Sequence, residues 1–241
     1  MSVKRMRVFA GPNGSGKTTI IKSLHNQIPF GVYVNADDIE ESLSQGGINF
    51  LDKFKLNITQ ECIQSFFKAS LFAPVKRNEL DLWTKITVVE NVLYIKTKID
   101  SYLAADIAEF IRQSLLENGL SFTYETVMSH EGKIDFLQKA RDKNYRVYLY
   151  FIATEDPEIN IRRVNVRVAL NGHYVPAELI RNRYFKTLRN LKEAVKKSNR
   201  AYIWDNSATA SILISEITNG IDVKIIDTDK VPNWFLKYLV E

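Results

Sequence analysis

The chain has 241 residues, of which 45% are hydrophobic and 25% are charged, a composition typical of a globular protein that buries a sizeable core. No run approaches 18 apolar residues, which excludes a membrane-spanning helix, and a single cysteine excludes an intramolecular disulfide framework. The first residues lead directly into an apolar run and leave no room for a signal peptide. We therefore expect a cytoplasmic protein with one domain over residues 1–241 and no membrane partner.

The first predicted elements enclose a phosphate-binding motif. Met6–Ala10 has the pattern of a buried strand and Thr19–Gln27 that of a helix, and the loop between them, Gly11–Thr18, fits Gly-x-x-x-x-Gly-Lys-Thr. Strand, loop and helix in this order predict backbone N–H groups that cradle nucleotide phosphates. Lys17 is expected to reach the β/γ oxygens and the Thr18 hydroxyl to bind Mg²⁺. The residues assigned to the nucleotide are Gly11, Asn13, Gly14, Ser15, Gly16, Lys17, Thr18 and Thr19, together with His173 and Asp205 further along the chain.

A second short strand, Gly31–Val34, is followed by Asp37 and Asp38 and then by a helical turn to Leu43. Phosphoryl transfer needs a group that orients the acceptor hydroxyl, and an aspartate at this point can take its proton. An aspartate before a helical turn is also favoured as an N-cap. We assign the catalytic base to Asp37 and the cap to Asp38.

Residues 52–100 are predicted to form an insertion made of a helix and a hairpin. Apolar residues recur at helical spacing from Asp52 to Phe72, and Pro74 is expected to end that helix. Two β-prone runs between residues 82 and 97 flank Glu90-Asn91, which predicts a hairpin. Trp83 and Tyr94 are either surface of an acceptor pocket or part of a satellite core, whereas core is favoured for Phe67.

Strand and helix patterns alternate in the rest of the chain. Helices are predicted over 101–118, 133–143, 156–170 and 176–195, strands over 120–124, 145–153 and 201–204, a hairpin around Asn219-Gly220, and a short helix over 234–240. The alternation predicts an α/β fold, a three-layer αβα arrangement with a mostly parallel central sheet and a C-terminal hairpin. Ligands of such sheets bind beyond the carboxyl ends of the strands, so the loop, Asp37, Glu125 and Asp205 are expected at one rim.

A basic segment carries the candidate lid, residues 162–176. Between Arg162 and Arg200 there are 11 Lys/Arg and two acidic residues, which suits either RNA or a phosphate-closing lid with a solvated helix face. Helical periodicity of the charges favours the lid. Arg163 and Arg167 share a helix face and are expected to fold over the triphosphate. His173 is a candidate phosphate contact, although a loop histidine is more often structural or solvent-facing.

Seven segments of the chain resemble the zeta-toxin family of P-loop kinases, in the family's order. They are Gly11–Thr19, Val34–Asp37, Tyr124–Ser129, Asn171–Pro176, Arg183-Tyr184, Leu188–Leu191 and Asp205–Ser207. The resemblance implies a P-loop kinase that binds Mg-ATP at Lys17 and Thr18, with Asp37 as the base and Glu125 in the acceptor pocket. It also implies a lid formed by Arg163 and the His173 segment, a nucleotide-sugar acceptor such as UDP-N-acetylglucosamine, and an antitoxin partner.

Two features depart from the family pattern, namely Asn171 in the usual Gly-Gly-His link and the enlarged 52–100 insertion. The function expected from the sequence is transfer of the γ-phosphate of ATP to a hydroxyl of a small nucleotide- or sugar-like molecule. A polynucleotide 5′-hydroxyl kinase and a nucleotide-binding interaction protein with weak ATPase activity remain as alternatives. Glu125 is expected to bind the acceptor or the second shell of Mg²⁺, with a cap or a salt bridge as its alternative role.

Overall fold

The computed structural model describes residues 3–170, 172 and 174–241. They fall into two compact units, the first comprising Met1–Pro29 with Glu125–Glu241 and the second Phe30–Tyr124. In the part of the chain that is described, no helix has the length and apolarity needed to cross a bilayer.

The strands, in chain order, are β1 (Arg5–Ala10), β2 (Val32–Val34), β3 (Ile48–Asn49), β4 (Ile86–Val89), β5 (Val92–Ile95), β6 (Phe122–Thr126), β7 (Arg146–Ala153), β8 (Arg200–Asp205), β9 (Ile212–Thr218) and β10 (Asp222–Ile225). The helices are α1 (Lys17–Leu24), α2 (Ala36–Ser44), α3 (Phe50–Phe54), α4 (Gln60–Ala69), α5 (Ala73–Arg77), α6 (Ser101–Glu117), α7 (Gly132–Asp142), α8 (Pro157–Ala169), α9 (Ala177–Arg189), α10 (Leu191–Lys196) and α11 (Asn233–Phe235). A π-helical turn, Leu236–Val240, follows α11.

The sheet of the first unit has the strand order β10-β9-β8-β7-β1. β7 pairs in parallel with β1 on one side and with β8 on the other, whereas β9 and β10 are antiparallel additions. Phe151 and Ile152 of β7 point to opposite faces and both are fully buried, as expected of a parallel strand covered on its two faces. Together with the parallel pair of β2 and β6, this pairing confirms the predicted α/β fold with a mostly parallel sheet.

Local signals set several boundaries of the first unit as predicted. Asp156 caps α8 by accepting from the Glu158 N–H at 2.7 Å, and Pro157 occupies the first turn. Asn219 and Gly220 adopt positive φ in the turn between β9 and β10. The single helix predicted for residues 176–195 is instead divided into α9 and α10 at Asn190, whose side chain donates to Met128 O at 3.0 Å.

The second unit contains the parallel pair β2–β6 and an antiparallel sheet in the order β3-β5-β4. The predicted hairpin is confirmed as β4 and β5. Its two loop residues, Glu90 and Asn91, have φ of 50° and 65°, as a tight hairpin turn requires. β6 begins in this unit, and its last two residues belong to the first.

The prediction of one helix from Asp52 to Phe72 is wrong. The chain leaves α3 at Lys55, which adopts a left-handed φ of 58°, and α4 begins only after Thr59, whose hydroxyl accepts from Cys62 N–H. Leu71 lies outside both helices and is 76% exposed. Pro74 occupies the first turn of α5 rather than ending α4, because a proline is tolerated where no helical N–H bond is made.

The N-cap of α2 is Asn35, which corrects the assignment of the cap to Asp38. The Asn35 carboxamide accepts from the Asp37 N–H at 2.8 Å, while Asp37 and Asp38 occupy the first turn. Partial burial raises the pKa of the Asp38 carboxyl above its usual value of 3.8. Lys53 opposes this shift, and the neighbouring carboxylates of Asp37 and Glu41 reinforce it.

Replacing Asn35 with alanine should lower the free energy of unfolding of the second unit by about 1 kcal/mol, because the first turn of α2 loses its side-chain cap. Asp38→Asn should act differently. Because the pKa of Asp38 is higher in the folded state than in the unfolded state, its protonation adds to the free energy of unfolding at low pH. This contribution is lost as the pH rises through the folded-state pKa. The asparagine variant lacks that loss, so its stability relative to the parent should increase from about pH 3 to about pH 7.

Urea unfolding of both variants at the two pH values measures these effects. A loss in Asp38→Asn that equals the loss in Asn35→Ala at both pH values would restore Asp38 as the cap.

Candidate functional site

The loop between β1 and α1 passes unusually close to its neighbours at two glycines. Gly14 and Gly16 have φ of 76° and 95°, which residues with a Cβ rarely adopt. A Cβ on Gly16 would lie 2.1 Å from Asn206 Nδ2, and one on Gly14 would lie 2.5 Å from the Asn160 carbonyl oxygen. Glycine is therefore required at both positions for the loop to keep this path.

The start of α1 has no side-chain cap. Gly16 is the N-cap residue, and no side chain accepts from the first turn. Ser15 is fully buried, and its hydroxyl has no hydrogen-bond partner in the described part of the chain. Phosphate oxygens suit such donors because they accept several N–H and O–H bonds at once, and the positive end of the helix dipole favours an anion.

Lys17 places its charge beside the same loop. Its ammonium donates to the carbonyl oxygens of Gly11 at 2.8 Å and Pro12 at 3.0 Å. Thr18 and Thr19, in the first turn of α1, are exposed. The loop, the helix start and Lys17 are adjacent, and nucleotide binding at these residues stays a prediction.

A metal ion at this loop would depend on few protein ligands. The described residues include no cluster of three or more His, Cys, Asp or Glu side chains that could hold one. Magnesium that accompanies a nucleotide takes most of its oxygens from phosphates and water, so the exposed Thr18 hydroxyl is a sufficient protein ligand. The Thr18 assignment is compatible with this chemistry.

Two asparagines attach the loop to the rest of the first unit. Asn206, after β8, donates to Ser15 O at 2.8 Å, and Asn160 of α8 donates to Asn13 O at 2.9 Å. Asn160 in turn accepts from the buried hydroxyl of Thr154. The loop is therefore held at Asn13 and Ser15 by side chains that lie far away in sequence, which preorganises it for a ligand.

Asp205 acts on the segment that follows β8. Its carboxylate, 8% exposed, accepts from the Ser207 N–H at 3.0 Å, from the Ser207 hydroxyl at 2.8 Å and from Trp234 Nε1 at 2.8 Å. These bonds fix the segment that contains Asn206. In this structure Asp205 thus supports the loop through its neighbour, and its assignment to nucleotide binding stays a prediction.

The arginines of the basic segment take different positions. Arg163 donates to Asn206 O at 2.7 Å and to Ala208 O at 3.1 Å, so its guanidinium is bound to the segment that holds the loop. Arg183 of α9 donates to the Asn13 side chain at 3.4 Å. Arg167 is exposed at the end of α8, where its carbonyl accepts from Gly172 N–H at 2.9 Å.

Glu125 and Thr126 end β6 next to the loop. Gly11 N–H donates to Thr126 O at 3.3 Å, and the Thr126 hydroxyl accepts from Met128 N–H at 3.0 Å. Glu125 is half-buried. The structure thus brings the end of β6 to the start of the loop, as expected for a strand whose carboxyl end lies at the same edge of the sheet.

Asp37 lies in the second unit, in the first turn of α2, with an exposed side chain. Its role as the base stays a prediction. His173 and Asn171 lie outside the described residues, so the predicted phosphate contact of His173 also stays a prediction.

The sequence analysis assigned no role to Asn160, Arg183 or Asn206. Asn160 lies within a helix that carries no motif, and its contact with the loop joins residues 147 positions apart. Arg183 and Asn206 belong to segments of the family resemblance, which was the available signal for them. Their contacts with the loop could be identified only from the folded structure.

Comparison with known proteins places these features in a family. The Zeta toxin family model matches residues 98–218. This range includes Glu125, the arginines of α8 and α9, and Asn206, and it leaves out the loop at residues 11–18. An uncharacterized protein of Haemophilus influenzae is 26% identical over 69 residues, which are 29% of this chain and 49% of that protein.

Two of the similar solved structures show the same fold. Two crystal structures of the AvrRxo1-ORF1:ORF2 complex, one with sulphate ions and one with ATP, superpose with TM-scores of 0.55 at 14% and 13% identity. Both alignments cover 94% of this chain and 62% of the other. The PezAT toxin–antitoxin structure of Streptococcus pneumoniae has a TM-score of 0.47 at 20% identity, covering 87% of this chain and 71% of that one.

The chain spans less than two thirds of the length of the Haemophilus protein and of the AvrRxo1 chain. The family match nevertheless covers half of the present sequence, and the AvrRxo1 structures share the fold of this chain. The chain belongs to the Zeta toxin family.

Proposed function

We propose that this protein is an ATP-dependent kinase that transfers the γ-phosphate of Mg-ATP to a hydroxyl of a small nucleotide- or sugar-like molecule. The proposal rests on the loop from Gly11 to Gly16, whose glycines have positive φ. The start of α1 beside the loop has no side-chain cap, and the Lys17 ammonium lies against the loop. ATP supplies the phosphoryl group, and the protein supplies position and charge. The family match and the ATP complex of a protein with the same fold support this choice.

The loop residues bind and neutralise the phosphates. Backbone N–H groups of Gly14, Gly16 and Thr18 donate to phosphate oxygens, because those of Ser15 and Thr19 are bonded to Pro12 O and Gly16 O. The Ser15 hydroxyl, orphaned in this structure, gains an acceptor. When the nucleotide binds, the Lys17 ammonium leaves the loop carbonyls and donates to the β/γ phosphate oxygens instead. The Thr18 hydroxyl would be the protein ligand of Mg²⁺.

The acceptor side carries the second half of the chemistry. Asp37 holds the acceptor hydroxyl and takes its proton as the hydroxyl oxygen bonds to the γ-phosphorus and the bond from that phosphorus to the β–γ bridging oxygen breaks, which releases ADP. Glu125 contributes to the acceptor pocket, and Arg163, Arg167 and His173 neutralise charge on the lid side.

Arg163→Ala should lower turnover about tenfold or more, whereas Arg162→Ala should leave it unchanged. Arg163 makes two charge-assisted bonds to the segment that fixes Asn206, and Asn206 holds the loop at Ser15. Arg162 is the matched control because it is the preceding residue of α8 and is exposed. Steady-state turnover of Mg-ATP with acceptor measures the difference, and equal small effects would assign both arginines to a solvated helix face.

Aromatic residues of the insertion are proposed to recognise the acceptor. Trp83 is half-buried beneath Lys68, whose ammonium lies 4.2 Å from the ring centroid, and Tyr94 is 42% exposed on β5. Phe67 is fully buried, in line with its expected core role. Amphipathic aromatics with one open side suit a base or sugar ring.

Trp83→Ala and Tyr94→Ala should raise KM for the acceptor while the Kd for ATP stays unchanged. Point variants are preferable to removal of residues 76–98, because Leu82, Ile86 and Leu93 are fully buried and their loss would open the core of the second unit. Leu71→Ala is the control, since Leu71 is an exposed apolar residue of the same insertion. An unchanged KM in both aromatic variants would remove the hairpin from recognition.

The partners follow from the family. A protein antitoxin and a nucleotide-sugar acceptor are proposed from the resemblance. A cytoplasmic location is proposed from the single cysteine, which fits a reducing compartment. RNA is a weaker proposal, because the basic segment is partly neutralised by ion pairs of Arg181 with Glu158, Lys196 with Glu193 and Arg200 with Glu216.

Incubation of the protein and Mg-ATP with fractionated cell metabolites, followed by a mass-shift search for added phosphate, tests the proposal. We expect one or more small hydroxyl compounds to gain a single phosphate. Phosphorylation of RNA 5′ ends alone would identify a polynucleotide kinase, and release of phosphate into water alone would identify an ATPase.

A further inference from the structure

The outer edge of β10 is a surface that the proposed kinase chemistry does not use. β10 is the last strand in the sheet of the first unit, and among the described residues only β9 pairs with it. Ile221, next to the strand, and Val223, within it, are 79% and 54% exposed. An exposed apolar edge offers backbone groups to another strand unless charges, prolines or bulges protect it.

The ladder with β9 determines which backbone groups of β10 point to the open edge. The Ile226 N–H donates to Ile214 O at 2.8 Å. Bonded pairs alternate along an antiparallel ladder, so the even-numbered residues of β10 direct their N–H and C=O groups towards β9. Val223 and Ile225 therefore direct theirs to the open edge.

The apolar face of the sheet continues out to this edge. Val223 pairs with Ile217 of β9, and Ile217 pairs with Ala201 of β8. Both of those neighbours are buried. Because side chains alternate along a strand, Val223 and Ile225 lie on the same face as this buried row. A strand added at the edge would cover the exposed apolar side chains of β10, which continue the buried row of β8 and β9.

The charges on either side of Val223 determine which strand could pair at this edge. Asp222 precedes it and Lys224 follows it. Glu216, which faces Lys224 across the ladder, is already paired with Arg200. We propose that two copies of this chain dimerise through antiparallel pairing of β10 with β10, about a two-fold axis at Val223.

In this register the sequence is self-complementary. Val223 faces the partner's Val223 with its backbone groups aimed across the edge, Asp222 faces the partner's Lys224, and Lys224 faces the partner's Asp222. A two-fold interface requires this reciprocity, and opposite charges on directly facing residues stabilise an antiparallel pair. The apolar residues of the two strands form one continuous row.

Sedimentation velocity of the full chain over a range of concentrations tests the dimer. Asp222→Lys and Lys224→Asp each place like charges opposite one another at both symmetric positions, so each should raise the dimer Kd about tenfold or more. Asp229→Lys is the control, because it makes the same charge change at an exposed residue outside the strand. Circular dichroism checks that every variant is folded.

An equimolar mixture of Asp222→Lys and Lys224→Asp gives the decisive result. One variant carries two lysines and the other two aspartates at the facing positions, so the mixture should form a heterodimer that native mass spectrometry detects. The double variant should form a homodimer again. A chain that stays monomeric at every concentration, or a dimer that neither substitution weakens, overturns the proposal, as does a mixture that fails to pair.

Discussion

Replacing Lys17 with alanine is expected to abolish productive binding of Mg-ATP. The ammonium donates to the loop carbonyls of Gly11 and Pro12 and is proposed to bind the phosphate oxygens. Losing two charge-assisted bonds to phosphate, each about 1.5–3 kcal/mol, corresponds to at least about a 100-fold loss of affinity. Thr18→Ala should remove the dependence of binding on Mg²⁺, because the proposed metal ligand is lost.

Isothermal titration calorimetry with ATP, with and without Mg²⁺, measures both effects. Lys22→Ala is the control, since Lys22 is an exposed lysine of the same helix, α1. Thermal unfolding should change little in Lys17→Ala, because the side chain is only half-buried. Parental ATP affinity in both Lys17→Ala and Thr18→Ala would show that the loop is not the nucleotide site.

Replacing Asp37 with asparagine should separate binding from chemistry. The carboxylate is proposed to take the proton of the acceptor hydroxyl, so phosphoryl transfer should fall by about 10²–10⁴-fold while ATP affinity is kept. The backbone bond from Asp37 N–H to the Asn35 cap does not involve the replaced group, so α2 should stay intact.

Single-turnover transfer from ATP to acceptor is the suitable measurement, because it isolates the chemical step. Asp38→Asn provides the matched control, as the adjacent aspartate of the same helical turn. Transfer at the parental rate in Asp37→Asn, or an equal loss in Asp38→Asn, would mean that Asp37 is not the base.

The parts of the structure that local geometry controls could be predicted from the sequence. The loop at residues 11–18 requires glycines at fixed spacing, and the two hairpins require residues that tolerate positive φ, such as Asn91 and Gly220. The start of α8 follows from Asp156 and Pro157. Each of these signals lies within a few residues of the feature that it produces.

Other features depend on contacts that periodicity does not report. The break between α3 and α4 occurs at Lys55, a residue with no strong preference for the left-handed conformation, so the apolar pattern continued across it. The cap of α2 was misassigned because Asn35, Asp37 and Asp38 are all good cap residues, and only the backbone shows which one precedes the helix.

The anchors of the loop were beyond sequence analysis for a related reason. Asn206 reaches Ser15 across 191 positions, and Asn160 reaches Asn13 across 147. An asparagine in a helix or loop has many ordinary roles, and nothing in its neighbours marks a distant partner. Only the parallel arrangement of β1, β7 and β8 brings the segments together.

The destination of the γ-phosphate is the most direct test of the proposed kinase. Protein, γ-labelled Mg-ATP and a metabolite fraction are incubated together, and the label is separated into small organic phosphates, RNA ends and inorganic phosphate. For the parent protein we expect label in a small organic phosphate, and for Asp37→Asn a loss of that label by about 10²-fold or more. Label found only as inorganic phosphate or on RNA, or an organic product that Asp37→Asn forms at the parental rate, would contradict it.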